Sequence, residues 1–125
     1  YLDEIFPRTR PLRAEITNSI STFCSLGEYE PLTFSVHALG NMSGVNVQVN
    51  DLTGPGGVKI HSRNIEVRSV HCLPRRVWNV DEYIIRPTLL EKTSELSIDA
   101  NRTQSYWLTI YVFIEPFSLR GFNWI

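Results

Sequence analysis

The segment that most restricts the fold is residues 32–38, in which apolar and polar residues alternate. Leu32, Phe34, Val36 and Ala38 would share one face of an extended chain, which is typical of a half-buried β-strand. A glycine, two acids and a proline at positions 27–31 lead into it. We therefore predict a strand at 32–39 that packs one face on a core. We expect Phe34 and Val36 to be buried.

Short segments of the same kind recur along the chain and are separated by glycine or proline turns. We predict further strands at 20–26, 45–49, 58–60, 65–73, 82–86, 96–98 and 104–113, with one more beginning at 122–125. Pro74 and Pro87 are expected to end strands, and 88–95 is the place where a helical turn is plausible. Many short strands without helical periodicity predict an all-β fold, an antiparallel β-sandwich of immunoglobulin-like or jelly-roll-like architecture. Val47 is expected in its core.

The valines of 45–49 should point inward together, whereas in 65–73 the apolar residues change face along the segment. Ile65 and Val67 share one face, but Val70 and Cys72 fall on the other. A β-bulge, or a strand that crosses between sheets, would explain this change.

The segment 104–113 is apolar on both faces. Leu108 belongs to the face that we expect in the core, and the second face carries Trp107, Tyr111 and Phe113. A strand of a sandwich normally buries only one face in the core. We therefore predict that something else covers this second, apolar face. Stacking on sugars, contact with a neighbouring domain and cover by the chain's own loops are the three interpretations.

Composition excludes several classes of function. The chain has 125 residues and a formal net charge of -1, and its arginines are scattered, so we expect no nucleic-acid partner. No run of about twenty apolar residues predicts a membrane span. The two cysteines, Cys24 and Cys72, leave both a disulfide and buried free thiols open. No metal-binding spacing is present, so we expect no metal or other cofactor.

No catalytic pattern stands out. Glu28 and Glu30 point the same way on an extended segment, and paired carboxylates are what glycoside hydrolysis uses. Adjacent acids beside a turn more often bond backbone amides or an arginine. The three histidines, His37, His61 and His71, lie on separate segments. We expect that this domain is not itself an enzyme.

The order of several segments resembles a known domain. The stretch LGEYEPLTF at 26–34 is similar to a GEYEP-x-T-F signature, and VNVQVNDL with GPGG at 45–57 to a V-x-V-x-V-x-D-L-x-G-P-G-G stretch. RPTLLE at 86–91 and TQSYWLT at 103–109 resemble its P-x-L-L-E turn and T-x-x-F-W-L-T strand. These segments resemble the N-terminal β-sandwich accessory domain of bacterial glycoside-hydrolase-like proteins, which are similar to family-123 glycoside hydrolases.

The resemblance implies a role and a division of the chain. It implies a non-catalytic module that supports or orients a neighbouring catalytic barrel, in a protein that is secreted, periplasmic or on the cell surface. The barrel of the same polypeptide would be its partner, and carbohydrate a possible second one. We divide the chain into an extended arm or linker at 1–19, which holds Pro7 and Pro11, and the β-sandwich domain at 20–125. A carbohydrate-binding module is the alternative function.

Overall fold

A computed structural model describes residues 5–79, 81–92 and 95–113. Within them the chain is all-β, with antiparallel sheets that do not close into a barrel. The strands are β1 (Tyr29–His37), β2 (Met42–Val45), β3 (Leu52–Thr53), β4 (Lys59–Ile60), β5 (Ile65–Arg76), β6 (Tyr83–Lys92), β7 (Leu96–Ile98) and β8 (Thr103–Tyr111). Short 3₁₀ turns occupy Arg13–Glu15, Pro55–Gly57 and Ser62–Asn64.

The main sheet has four strands in the order β1-β8-β5-β6. β8 lies inside it and pairs along its whole length with β1 on one side and with Ile65 to Ser69 of β5 on the other. Two ribbons, β2-β7 and β3-β4, complete the fold. The predicted all-β, sandwich-like class is confirmed, and the strands at 96–98 and 104–113 are recovered within a residue or two of their β7 and β8 bounds.

One face of the main sheet, which we call the inner face, carries the core. Rows of side chains run across its strands, and one such row is Leu32, Leu108 and Val67. Ile65, Ile110 and Val112 form the buried cluster on this face, and Val49 and Ile60 pack against it from outside the sheet. Apolar burial between the sheet and these segments is the main source of stability.

The buried cluster lies closer to the C-terminal end of β8 than the sequence predicts, at Ile110 and Val112 and not at Leu108. Phe34, Val36, Val47 and Leu108 face inward as expected, but each is half-buried and not fully enclosed. Among the described residues, the fully buried side chains are those of Ala38, Ser69, Tyr106 and Val112, each with 0% or 1% of its surface exposed. Phe34 lies at the edge strand β1 and stacks on Tyr106, with ring centroids 5.3 Å apart. An edge strand leaves one side open, which explains the partial burial.

The predicted strand at 20–26 is wrong. The residues from Ile20 to Leu26 form no strand, and the Phe23 side chain is 93% exposed. β-branched and aromatic composition favours a strand only where a partner is present. Here the backbone of Gly27 and Glu28 already pairs with Val112 at the end of β8, so the preceding segment lies beyond the sheet. The strand start expected at 122–125 lies outside the described residues.

Both prolines expected to end strands lie within strands. β5 continues past Pro74 to Arg76, and β6 runs through Pro87 to Lys92, so the helical turn expected at 88–95 is also wrong within the described residues. Pairing between β5 and β8 ends at Ser69, which leaves one side of β5 open at Pro74. β6 is an edge strand, and proline is tolerated where no ladder hydrogen bond is required.

Of the two features expected at the change of face in β5, a bulge-type register shift is present and a crossing between sheets is not. β5 stays within one sheet, and the irregularity falls on its partner: His71 pairs with Leu89 but Cys72 pairs with Pro87, which leaves Thr88 as an extra residue. The apolar side chains of Val70 and Cys72 point to the opposite, outer face of the sheet. They line a cavity there together with Ile5 and Pro7, so the N-terminal segment provides a second cover.

Candidate functional site

The outer face of the main sheet carries an aromatic cluster, which consists of Tyr29, Tyr111 and Phe113. It lies where the start of β1 pairs with the end of β8. The rings of Tyr29 and Tyr111 stack at 4.6 Å between centroids, and Phe113 lies 6.0 Å from Tyr111. Tyr29 is 68% exposed and Phe113 is 46% exposed, whereas Tyr111 is half-buried. Tyr29 joins the cluster because β1 pairs it directly with Tyr111. Tyr29 was not among the residues predicted from the sequence, although its place at the start of the alternating segment was a usable signal.

Trp107 does not form a flat aromatic row with the cluster. It lies on the same outer face but is half-buried, and its cross-strand neighbours are Thr33 and Arg68. Of the three candidate residues from the sequence, Tyr111 and Phe113 are therefore brought together, and Trp107 lies four residues along β8 from Tyr111. Thr109 separates the two on this face.

A shallow open groove of about 610 Å³ lies beside the aromatic cluster. Its lining includes Tyr29, Tyr111 and Thr109 together with Arg63, Glu66 and Lys92. The Arg68 guanidinium donates to the Glu66 carboxylate at 2.7 Å. This hydrogen bond is the main reason that the pKa of Glu66 lies below its usual value, and the charges of Arg68 and Lys92 add to it. Glu66 is therefore ionised and already bonded at neutral pH.

Residues 72–79 and 81–87 belong to a hairpin that extends beyond the main sheet, and we call it the β5-β6 hairpin. In this part β5 pairs with β6 alone. Its exposed apolar side chains are numerous: Leu73 at 42%, Trp78 at 89%, Tyr83 at 70% and Ile85 at 54%. Arg76 and Asp81 form an ion pair of 2.6 Å near its tip. Exposed apolar surface of this kind is typical of an interaction site.

A second cavity, of about 240 Å³, lies under the N-terminal segment. Thr103 fixes this segment, because its backbone amide donates to the Pro7 carbonyl at 2.8 Å and its hydroxyl donates to the Thr9 carbonyl at 2.5 Å. The same hydroxyl lies 2.8 Å from His37 Nδ1. The lining mixes Asp99 and Arg102 with hydroxyl and amide groups, so this cavity is polar and partly enclosed.

Ser69, His71 and Glu91 come together on the inner face and superficially resemble a catalytic triad. The Ser69 hydroxyl and a Glu91 carboxylate oxygen both lie 3.1 Å from the same ring nitrogen, His71 Nε2. A triad needs the acid on one nitrogen and the nucleophile on the other. Ser69 is also 1% exposed, which closes it to a substrate. The arrangement is a polar contact between two strands.

The acid pair from the sequence has no cleft between its members. Glu30 Oε1 accepts a hydrogen bond of 2.9 Å from the Thr22 hydroxyl, and Glu28 is exposed. The pKa of the nearby Cys24 thiol is raised. Partial burial is the main cause, and the negative charges of Glu30 and Glu28 add to it. Cys24 and Cys72 are not joined by a disulfide. Among the described residues no cluster of three or more His, Cys, Asp and Glu side chains could hold a metal ion.

The hydroxyl of Tyr106 is buried in the core, and no atom of the described residues hydrogen-bonds to it. Burial raises the pKa of this phenol above its ordinary value. A buried hydroxyl without a partner destabilises the fold compared with a phenylalanine of the same shape. Within the described part of the chain, no helix is long and apolar enough to cross a membrane.

Comparison with known proteins gives one informative result. No protein-family model matches the chain, and no curated protein matches it in sequence. Among solved structures, the chain is similar to a family 123 glycoside hydrolase from Clostridium perfringens, whose structural analysis addressed glycolipid glycan hydrolysis. The TM-score is 0.63 at 16% identity. The match covers 70% of this chain but 16% of that chain, so it shows a common fold for a small part of a much longer enzyme.

Proposed function

We propose that this chain is a non-catalytic accessory module of a larger carbohydrate-active protein. The observation that supports it is the likeness to one part of the Clostridium perfringens glycoside hydrolase. Most of the present chain takes part in that match, whereas 84% of the enzyme lies outside it. A small all-β unit within a long glycoside hydrolase has room for a separate catalytic domain beside it. The module would support or orient that domain.

The β5-β6 hairpin suits contact with a neighbouring domain. Cross-strand pairing places Pro74 opposite Ile85 and Arg76 opposite Tyr83 on one face of the hairpin. This face is mostly apolar, and its one basic group is already paired with Asp81. Covering the side chains of Tyr83 and Ile85 would contribute about 25 cal/mol for each Å² of apolar surface removed from water. A folded catalytic domain of the same polypeptide is the partner that the proposed role requires.

The first experiment assays the chain on a panel of aryl glycosides, alongside the variants Glu28→Gln and Glu30→Gln. We expect no turnover from any of the three proteins, because no pair of acids flanks a cleft among the described residues. Turnover that disappears in either variant would overturn the accessory role.

The second experiment uses the longer protein encoded by the open reading frame that contains this chain. We expect a barrel with two paired acids beside the module. Deleting residues 20–113 should lower the thermal midpoint of the barrel. The double variant Trp78→Ala/Tyr83→Ala should lower it in the same direction, whereas Phe23→Ala, at an equally exposed aromatic outside the hairpin, should not. A barrel that keeps its stability and activity after the deletion contradicts the proposal.

A second candidate function is carbohydrate binding by the module itself. The aromatic cluster favours it, because Tyr29 presents an exposed ring in the lining of a groove that also holds polar groups, and Phe113 presents a second exposed ring beside Tyr111. Aromatic rings stack on the apolar faces of sugars while polar side chains bond the hydroxyls. The two functions are compatible, because the cluster and the hairpin occupy different parts of the sheet.

The proposed location follows from the proposed role. A carbohydrate-active protein that acts on large external substrates would be secreted, periplasmic or on the cell surface, and we propose a bacterial source for it. Fractionating cells that express the full gene and probing each fraction for the protein tests this location. Recovery in the cytosol alone would contradict it.

A further inference from the structure

The groove beside the aromatic cluster has an apolar end and a charged rim. At the apolar end the Tyr29 ring stacks on Tyr111 with one side and is 68% exposed, so part of the ring is open to a ligand. Thr109 continues the lining on β8, and Asn64 and Arg63 supply polar groups from the turn before β5. A volume of about 610 Å³ lies in the range of small-molecule sites and exceeds one sugar ring.

The groove lining carries more positive than negative side chains. Glu66 is the one acid in the groove lining, and it bonds Arg68 at 2.7 Å. Arg63 and Lys92 also line the groove, and among the described residues the side chain of neither forms a close ion pair, although the charge of Lys92 acts on Glu66. The three charged residues of the lining, Arg63, Glu66 and Lys92, together carry a net charge of about +1 at neutral pH, although the whole chain carries -1. The groove therefore concentrates positive charge on a slightly acidic molecule.

We propose that this groove binds an acidic saccharide, a pyranose that carries a carboxylate, with the sugar ring on Tyr29 and the carboxylate toward Arg63 and Lys92. The inference rests on the second candidate function, carbohydrate binding, and adds the class of sugar. A neutral sugar would use the tyrosines and Asn64 but would offer no negative charge to Arg63 and Lys92. Two cations beside an aromatic ring are too few for a nucleic acid, which needs a longer basic surface.

The experiment titrates the chain with trigalacturonic acid and with its fully methyl-esterified form, and it follows binding by calorimetry. The ester keeps the sugar rings but removes the negative charges. We expect the acid to bind at least about 5-fold more tightly than the ester at low salt, and the difference to shrink at about 0.15 M salt because exposed charges are screened.

Variants assign the binding to the groove. Tyr29→Ala should weaken binding of the acid by about 5-fold, and Tyr29→Phe should preserve it because the ring remains. Lys92→Gln and Arg63→Gln should each weaken binding by about 2- to 5-fold, as expected for exposed ion pairs. The matched controls Tyr83→Ala and Lys59→Gln change an equally exposed tyrosine and lysine outside the groove, and they should leave binding unchanged.

The outcomes separate this inference from the function on which it rests. Equal binding of the acid and the ester, lost in Tyr29→Ala, would keep carbohydrate binding and overturn the acidic class. Binding that survives Tyr29→Ala, or that falls equally in the control variants, would overturn the groove as the site. Absence of binding for both oligosaccharides would overturn both statements, while the accessory role would stand or fall on its own experiments.

Discussion

The two halves of β5 belong to one strand but have opposite surroundings. Ile65 and Ser69 pair with β8, and they are 8% and 1% exposed. Leu73, four residues further, pairs with β6 alone and is 42% exposed. The difference is not one of residue type, because both halves contain apolar side chains. It arises because pairing between β5 and β8 stops at Ser69, which leaves the second half of β5 without a third strand.

The comparison separates stability from interaction. A side chain of the first half, which packs in the core, stabilises the folded state because it leaves water when the chain folds. A side chain on the β5-β6 hairpin stays in water after folding, so it adds little to stability until a partner covers it. The first half of β5 therefore holds the fold together, and the second half offers surface to another domain.

The largest expected effect compares Ile110→Ala with Ile85→Ala. Ile110 is 8% exposed in the core cluster, so its truncation should lower the free energy of unfolding by about 2–5 kcal/mol. Ile85 is 54% exposed on the hairpin, and the same change should cost less than about 0.5 kcal/mol. Urea unfolding of both variants measures the difference. Equal losses would show that the hairpin is part of the core.

A smaller effect is expected from Tyr106→Phe. Removing a buried hydroxyl that has no partner among the described residues should leave the free energy of unfolding unchanged or raise it by up to about 1 kcal/mol. Because burial raises the pKa of the folded phenol, the native protein loses stability above about pH 10, where the unfolded phenol ionises. The variant should escape that loss.

Tyr83→Phe is the control for this change, since its hydroxyl is on the exposed hairpin and its removal should alter stability by less than about 0.5 kcal/mol at any pH. Thermal and urea midpoints at pH 7 and near pH 10.5 check both variants. A clear loss of stability in Tyr106→Phe at neutral pH would mean that the hydroxyl is bonded in solution.

The smallest effect on stability is expected from Trp78→Ala/Tyr83→Ala. Each change should alter the free energy of unfolding by less than about 0.5 kcal/mol, because both side chains are mostly exposed. Binding of a hydrophobic dye should fall all the same, since the variant removes exposed aromatic surface. Phe23→Ala, at 93% exposure, is the comparison outside the hairpin. A large loss of stability in the double variant would contradict the view of the hairpin as interaction surface.

The sequence predicted the elements that depend on local pattern. β1 alternates strictly, and its inward residues Leu32, Phe34 and Val36 are the more buried ones. The valines at 45, 47 and 49 are half-buried as the alternation predicts, but the strand predicted at 45–49 is wrong beyond Val45, where β2 ends. In both places one face meets the core, so the period of two carries the information.

Features set by distant partners could not be predicted in this way. A strand at 20–26 needed a neighbour that the sheet does not supply, and Pro74 and Pro87 are tolerated because each strand has an open side there. The aromatic cluster depends on the register between β1 and β8, which brings Tyr29 to Tyr111 across 82 residues of sequence. No local pattern contains that register.

The extra residue Thr88 has a consequence for how this chain can change in length. Side chains of β6 on both sides of it keep their partners, because His71 faces Leu89 and Cys72 faces Pro87. A gene that lost the Thr88 codon would encode a regular ladder with Tyr83 and Ile85 still on their present face. Descendants of this chain can therefore lose one residue here without inverting the hairpin, whereas in a ladder with no extra residue the loss of one residue moves every side chain beyond it to the other face.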